Sequence, residues 1–244
     1  MPPRPGRAAA PGLVYVPDLA ACGETVLLSA AESHYVARVC RARAGDALEA
    51  TDGLGRLALL RVASTGPRVG ASVERVRSVP RPGHAWALCG APEGQRAAWL
   101  VEKLAELGVA RLTPLECSRG RWGGWGRTGP RLERVAIAAM RQSRSPHRIE
   151  IDPPAMIAPA LAGLPPGSER WIANEGGESA TPGGDRPVIG AVGPASGFTA
   201  AEQEEFQAAG FRPLRLAAGR LRAETAAVAW ASLWAASRRP GPEP

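Results

Sequence analysis

Apolar residues follow two different rhythms along this chain, and the change falls near residue 80. Before it, short runs rich in leucine, valine and alanine are separated by Gly- and Asp-containing turns. Residues 13–17, 25–28, 47–51, 57–62 and 71–79 are predicted as strands. Ser29-Ala-Ala-Glu32 is a capping-box pattern and opens a helix that runs to about Cys40. Several short strands closing on one another, with one helix, predict a small barrel. Val79-Pro-Arg-Pro-Gly83 then has the composition of a linker.

Beyond the linker, strand and helix patterns alternate. Strands are predicted at 85–89, 111–115, 169–173, 187–192 and 213–216, and helices at 96–107, 131–143, from Thr199, and at 222–237. Such alternation implies a mainly parallel sheet with helices on its faces, hence an α/β class. Residues 120–129, with Trp122 and Trp125, and 175–186 read as loops. The two tryptophans are suited either to stacking on unpaired bases or to anchoring their loop.

Composition narrows the function. Hydrophobic residues make up 45% and charged residues 22%, which is ordinary for a folded protein. No apolar run approaches the roughly 18 residues that span a bilayer, so no membrane partner is expected. Residues 1–12 hold arginine and proline without an apolar stretch and read as a flexible tail rather than a signal peptide, which makes the cytoplasm the expected location. Cys22, Cys40, Cys89 and Cys117 form no C-x-x-C pair, and His34, His84 and His147 are scattered. Reduced thiols and no metal site are therefore expected. A net charge of +7 and a pI near 10.2 suit a polyanionic partner.

Two segments carry candidate chemistry. In Val188-Ile-Gly-Ala-Val-Gly-Pro-Ala-Ser-Gly197 an apolar strand runs into a turn, and Thr199-Ala-Ala-Glu202 then caps a helix. Gly190, Gly193 and Gly197 permit a ligand to approach the backbone closely. The spacing is not G-x-G-x-x-G, so a dinucleotide site is a poor fit. In Leu214-Arg-Leu-Ala-Ala-Gly-Arg-Leu-Arg-Ala-Glu-Thr-Ala226 a strand ends, a small-residue turn follows, and a helix begins. Glu224 suits the positive end of that helix dipole. Arg222 does not, and so needs a phosphate, a carboxylate or Glu224 itself as partner.

Together these segments resemble the two cofactor loops of the SPOUT superfamily, specifically the RsmE-type methyltransferases that act on uridine N3 of 16S ribosomal RNA. Further likenesses lie upstream in the same order: His34-Tyr-Val-Ala-Arg-Val-Cys-Arg41 with Gly45-Asp46 and Asp52-Gly53, Glu102-Lys-Leu-Ala-Glu-Leu-Gly-Val109 with Pro114 and Arg119, and Ala138-Ala-Met-Arg-Gln-Ser143. The resemblance implies a PUA-like RNA-binding β-barrel over 13–79 and a SPOUT α/β domain over 84–238 with a C-terminal deep trefoil knot. It also implies a homodimer joined at the knot, S-adenosylmethionine as cofactor and small-subunit ribosomal RNA as substrate. By the same resemblance Ala173, Gly193, Pro194, Gly197, Leu216, Ala217, Leu221 and Ala226 hold the cofactor. Arg222 stabilises the developing uridine anion or a flanking phosphate, Glu224 orients Arg222, and RNA runs along Arg38, Arg41, Arg43, Arg119 and Arg144. Val228, Trp230, Leu233 and Trp234 on the last helix form either a dimer face or a core stripe.

The sequence departs from the family at polar loop positions: Ala195, Ser196, Ala217 and Gly219 in the cofactor loops, and Arg141 upstream. A Cβ at Ser196 or Ala217 would crowd a pocket built on close backbone approach. A knotted RNA-binding relative with weakened cofactor binding is accordingly the alternative reading.

Overall fold

The computed structural model describes residues 12–238, so the tail expected over 1–12 lies, but for Gly12, outside the described residues. The chain divides into two compact units. One extends to Arg81 and includes Met140–Arg148; the other comprises Pro82–Ala139 and the chain from Ile149 onward.

The first unit contains β1 (Leu13–Tyr15), β2 (Thr25–Leu27), α1 (Ala30–His34), β3 (Ala47–Thr51), β4 (Arg56–Ser64) and β5 (Gly70–Ser78). α1 continues as a π-helical turn over Tyr35–Val39. The strands order as β1-β3-β4-β5-β2, with β1 parallel to β3 and every other pairing antiparallel. Among the described residues the expected closure is not completed by pairing, since β1 and β2 are the two ends of the path. Alternation does place Leu48, Ala50, Ala58, Leu60 and Val62 in one core with Val14, Leu28 and Val36.

Only half of the capping box expected at Ser29 forms. Its hydroxyl accepts from the Glu32 amide at 3.2 Å, but the Glu32 carboxylate does not reach back to Ser29. It accepts instead from the Tyr15 amide at 3.3 Å and from Arg141 at 2.9 Å. Burial raises the Glu32 pKa, and Arg141 opposes that shift. The same guanidinium stacks over the Tyr35 ring at 4.8 Å. Arg141, one of the departures from the family pattern, is therefore matched to a buried carboxylate within this unit. Pro146 completes the clip, its carbonyl accepting from the Thr51 hydroxyl and the Gly55 amide, each at 3.0 Å.

The second unit contains β6 (Ala85–Gly90), α2 (Ala97–Glu106), β7 (Arg111–Glu116), α3 (Trp125–Ser143, whose last residues belong to the first unit), β8 (Glu150–Ile151) and β9 (Ala155–Met156). These are followed by α4 (Ile157–Ala162), β10 (Glu169–Glu178), β11 (Val188–Val192), α5 (Ala200–Ala208), β12 (Arg212–Leu214) and α6 (Ala223–Ala236). The sheet is wholly parallel, ordered β12-β10-β11-β6-β7-β8, with β9 also paired to β7. Apolar clusters cover both faces. Leu100, Leu104, Leu132, Trp230 and Trp234 pack on Ala85, Ala87 and Cys89, while Ile157, Phe206 and Phe211 pack on Leu88 and Ile189. A strand covered on both sides must be apolar throughout, which is why β11 reads as an unbroken run. Gly190 admits Trp230 against it: a Cβ there would lie 2.1 Å from the indole.

Five elements of this unit differ from expectation. α3 begins at Trp125, within the segment read as a loop, despite Gly126, Gly129 and Pro130. Trp125 packs edge-on against Trp122 at 6.3 Å, so tertiary contact overrides weak propensity. Trp122 is itself buried and donates its indole N–H to the Cys89 carbonyl at 3.0 Å, so it anchors the segment rather than being free to stack. β10 extends to Glu178, and its register against β12 slips between Ala173 and Glu178. The short β8, β9 and α4 carry too few residues for periodicity to reveal. On α6, Trp230 and Trp234 belong to the core, whereas Val228 and Leu233 are only half-buried.

Candidate functional site: a pocket at the carboxyl ends of three strands

In a parallel sheet the strands present their carboxyl ends on one edge, where ligands of α/β proteins bind. β12, β10 and β11 end side by side there. The slipped segment of β10, the loop after β11 and the loop before α6 enclose a cavity of about 330 Å³. That is at the lower end of the roughly 300–1,000 Å³ of small-molecule pockets.

The loop after β11 is held from several directions. The Gly197 amide donates to the Pro194 carbonyl at 2.8 Å, and Gly197 adopts φ +76°, which glycine takes without strain. Gly90, at the end of β6, lies so close that a Cβ would sit 2.3 Å from the Pro194 nitrogen. Thr199 caps α5 in a complete capping box: its hydroxyl accepts from the Glu202 amide at 3.3 Å, and Glu202 accepts from the Thr199 amide at 2.7 Å. The other Glu202 oxygen accepts from the Ser118 amide at 2.7 Å. Burial pushes this carboxyl up, but the Ser118 and Thr199 N–H groups outweigh it and hold its pKa below the usual range.

All eight residues expected to hold a cofactor line this cavity. Ala173 comes from the middle of β10, just before its register slip, and Gly193, Pro194 and Gly197 from the loop after β11. Leu216, Ala217 and Leu221 come from the loop before α6, and Ala226 from α6 itself. Ala217 occupies the wall without filling the space. Ser196 does not line it; its hydroxyl donates to the Arg119 carbonyl at 3.0 Å. Sequence reading did not single out Glu175, Phe198, Gln203 and Arg220 as ligand-facing. Arg220 donates to the Ala195 carbonyl at 3.2 Å, linking the two loops. Phe198 and Gln203 closely follow the first motif and Arg220 lies within the second, whereas Glu175 begins the 175–186 segment read as a loop.

Arg222 and Glu224 are not among the lining residues. Arg222 is the exposed, extended N-cap of α6 and makes no side-chain capping bond. The expected pairing of Glu224 with Arg222 is replaced. Glu224 is buried in the first turn, and its carboxylate meets Arg96, the N-cap of α2, at 3.3 Å. The extended backbone at Arg222 turns that side chain outward, whereas the helix directs Glu224 inward. Of the residues expected to meet RNA, Arg38, Arg41, Arg43 and Arg144 are exposed on the first unit, and Arg144 pairs with Glu49. Arg119 is exposed on the second unit. Cys89 and Cys117 are buried thiols pushed up to about 12 by burial, which makes them poor nucleophiles. Among the described residues no cluster of three or more His, Cys, Asp or Glu could hold a metal, and no helix is long and apolar enough to cross a membrane.

The model of the RNA methyltransferase domain family matches residues 79–235, well over half of the chain. The chain belongs to that family. The model of the RNA methyltransferase PUA domain matches residues 28–68. Among solved structures, a probable rRNA-methyltransferase from Porphyromonas gingivalis is 28% identical with a TM-score of 0.81, the match covering 93% of this chain and 100% of that one. The ribosomal RNA small subunit methyltransferase E of Neisseria gonorrhoeae, solved bound to S-adenosyl methionine, is 23% identical with a TM-score of 0.82. That match covers 91% of this chain and 98% of that one, and it shows a shared fold. No curated protein matches the chain.

Proposed function

We propose that this RNA methyltransferase uses S-adenosylmethionine to methylate N3 of a uridine in small-subunit ribosomal RNA, in the cytoplasm and as a homodimer. The observation that carries the reading is the pocket itself: both C-terminal motifs, distant in sequence, face one cavity with every expected cofactor residue on its wall. The cavity fits an adenosyl group. Its walls are small apolar side chains and loop backbone, with few polar side chains. Ala217 adds one methyl to the wall and Ser196 bonds away from it, so these departures favour a working site over a closed one.

When bound, the cofactor supplies an electrophilic methyl group on a sulfonium. The protein contributes mostly position and field. The loop backbone at Gly193–Gly197 and Leu216–Leu221 orients the ligand, and Phe198 and Leu221 exclude water from it. Uridine N3 carries a proton, and a nearby cation favours its loss. Arg222, exposed at the start of α6, is our candidate for that cation or for a phosphate contact. Glu224 acts at a distance, fixing the α6 start through Arg96.

We assign residues 13–79 as the RNA-binding domain and 84–238 as the SPOUT domain, with Arg38, Arg41, Arg43, Arg119 and Arg144 as phosphate contacts. A trefoil knot is supported by the return of the chain. β12 ends the sheet, yet α6 packs over β11 and β6. Ser237, just beyond α6, lies against Gly183 of the β10–β11 connection. Val228 and Leu233 leave apolar surface on α6 for a second copy.

The test is methyl transfer from labelled cofactor to naked ribosomal RNA and to assembled small subunits, followed by nucleoside analysis. N3-methyluridine is expected. Methyl incorporation at another atom would overturn the uridine assignment, and no incorporation into either substrate would overturn the activity.

A further inference from the structure

Among the described residues, Arg220 and Glu175 are the only charged ones that line the cavity. They reach it from different segments: Glu175 from the slipped part of β10, Arg220 from the loop before α6. Their closest approach, 4.0 Å from the Arg220 Nε to a Glu175 oxygen, is at the outer limit of an ion pair. The two side chains are 67% and 71% exposed. A pair this open and loose contributes little by itself, and both groups keep hydrogen-bonding capacity for a ligand. One guanidinium nitrogen is committed: Nη2 donates to the Ala195 carbonyl at 3.2 Å. That bond fixes the guanidinium between the two pocket loops and leaves its other N–H groups available.

We infer that Arg220 and Glu175 recognise a zwitterionic α-amino-acid end group, Arg220 taking its carboxylate and Glu175 its ammonium. This rests on the cofactor reading above and deepens it, because an adenosylated amino acid carries both charges on groups attached to the same carbon. The same pair selects against other adenine ligands. A nucleoside polyphosphate would bring several negative charges toward Glu175, and a plain nucleoside would leave both groups without a new partner. The remaining lining side chains carry no charge, so discrimination at the amino-acid end falls to these two.

The test is calorimetric titration of the full chain with S-adenosylhomocysteine and with 5′-methylthioadenosine, which keeps the nucleoside and thioether but lacks the amino-acid end. The wild type should prefer S-adenosylhomocysteine by about tenfold or more, and the preference should shrink at high salt. Arg220→Gln and Glu175→Gln should each weaken S-adenosylhomocysteine about fivefold while leaving 5′-methylthioadenosine within about twofold. Equal binding of the two ligands by the wild type, or equal weakening of both by the variants, overturns the inference and leaves the cofactor reading intact. Binding of neither ligand by the wild type overturns the cofactor reading, and the inference with it.

Discussion

Glu202 offers the sharpest quantitative test of how the pocket loop is held. Its carboxylate accepts from the amides of Thr199 and Ser118, both at 2.7 Å, and it is only 5% exposed. Glu202→Ala removes the return bond of the capping box, a loss of about 1 kcal/mol. It also leaves the Ser118 amide without its acceptor, at a further cost of about 1–2 kcal/mol. The sum, about 2–3 kcal/mol, corresponds to roughly 5–10 °C in Tm for a protein of this size. The assay is urea unfolding followed by tryptophan fluorescence. All seven tryptophans lie in the second unit, so the signal reports that unit alone. The pH dependence has a fixed sign. A depressed carboxyl pKa contributes stability that is fully present above the unfolded value, about 4.3, and is lost as pH falls through the lower folded value. The gap between wild type and Glu202→Gln should therefore close as pH drops below about 4.3. A Glu202→Ala protein within about 0.5 kcal/mol of wild type at pH 7 would refute the argument.

Gly190→Ala should destabilise the second unit by about 3 kcal/mol, because the new methyl collides with Trp230. The Gly190→Ala, Trp230→Leu double variant should recover at least about 1 kcal/mol relative to additivity in urea melts. Gly90→Ala should displace the Pro194 turn and weaken S-adenosylhomocysteine at least about tenfold by calorimetry, since a 1 Å shift of a binding loop is costly; unchanged affinity would contradict the role given to that contact. Arg141→Ala strands the buried Glu32 carboxylate and should cost the first unit about 3 kcal/mol. That unit holds no tryptophan, so amide hydrogen exchange in β3–β5 is the readout. Burial has raised the Glu32 pKa, and losing Arg141 raises it further, so the deficit should grow as pH rises through the window above the ordinary carboxylate value.

The linear pattern determined much of this protein. Alternation and apolar runs fixed β3–β7, β11 and α2, because a half-buried strand and a strand covered on both faces each impose their own rhythm. The Thr199–Glu202 box was legible because capping is a contact over three residues. So were the two motifs at 193–197 and 216–226, whose resemblance to the family's cofactor loops pointed to residues that line one pocket. Contacts between distant residues were beyond that reach. Nothing local says that Glu224 meets Arg96 rather than Arg222, since the choice depends on how α6 lies on α2. Nothing local says that Glu32 abandons its capping box for Arg141, 109 residues away, or that Trp125 draws a glycine-rich segment into α3. The slip in β10 that carries Glu175 to Arg220 exists only against β12. Short-range sterics and burial periodicity are written in sequence; the partners of buried and pocket-facing charges are set by packing alone.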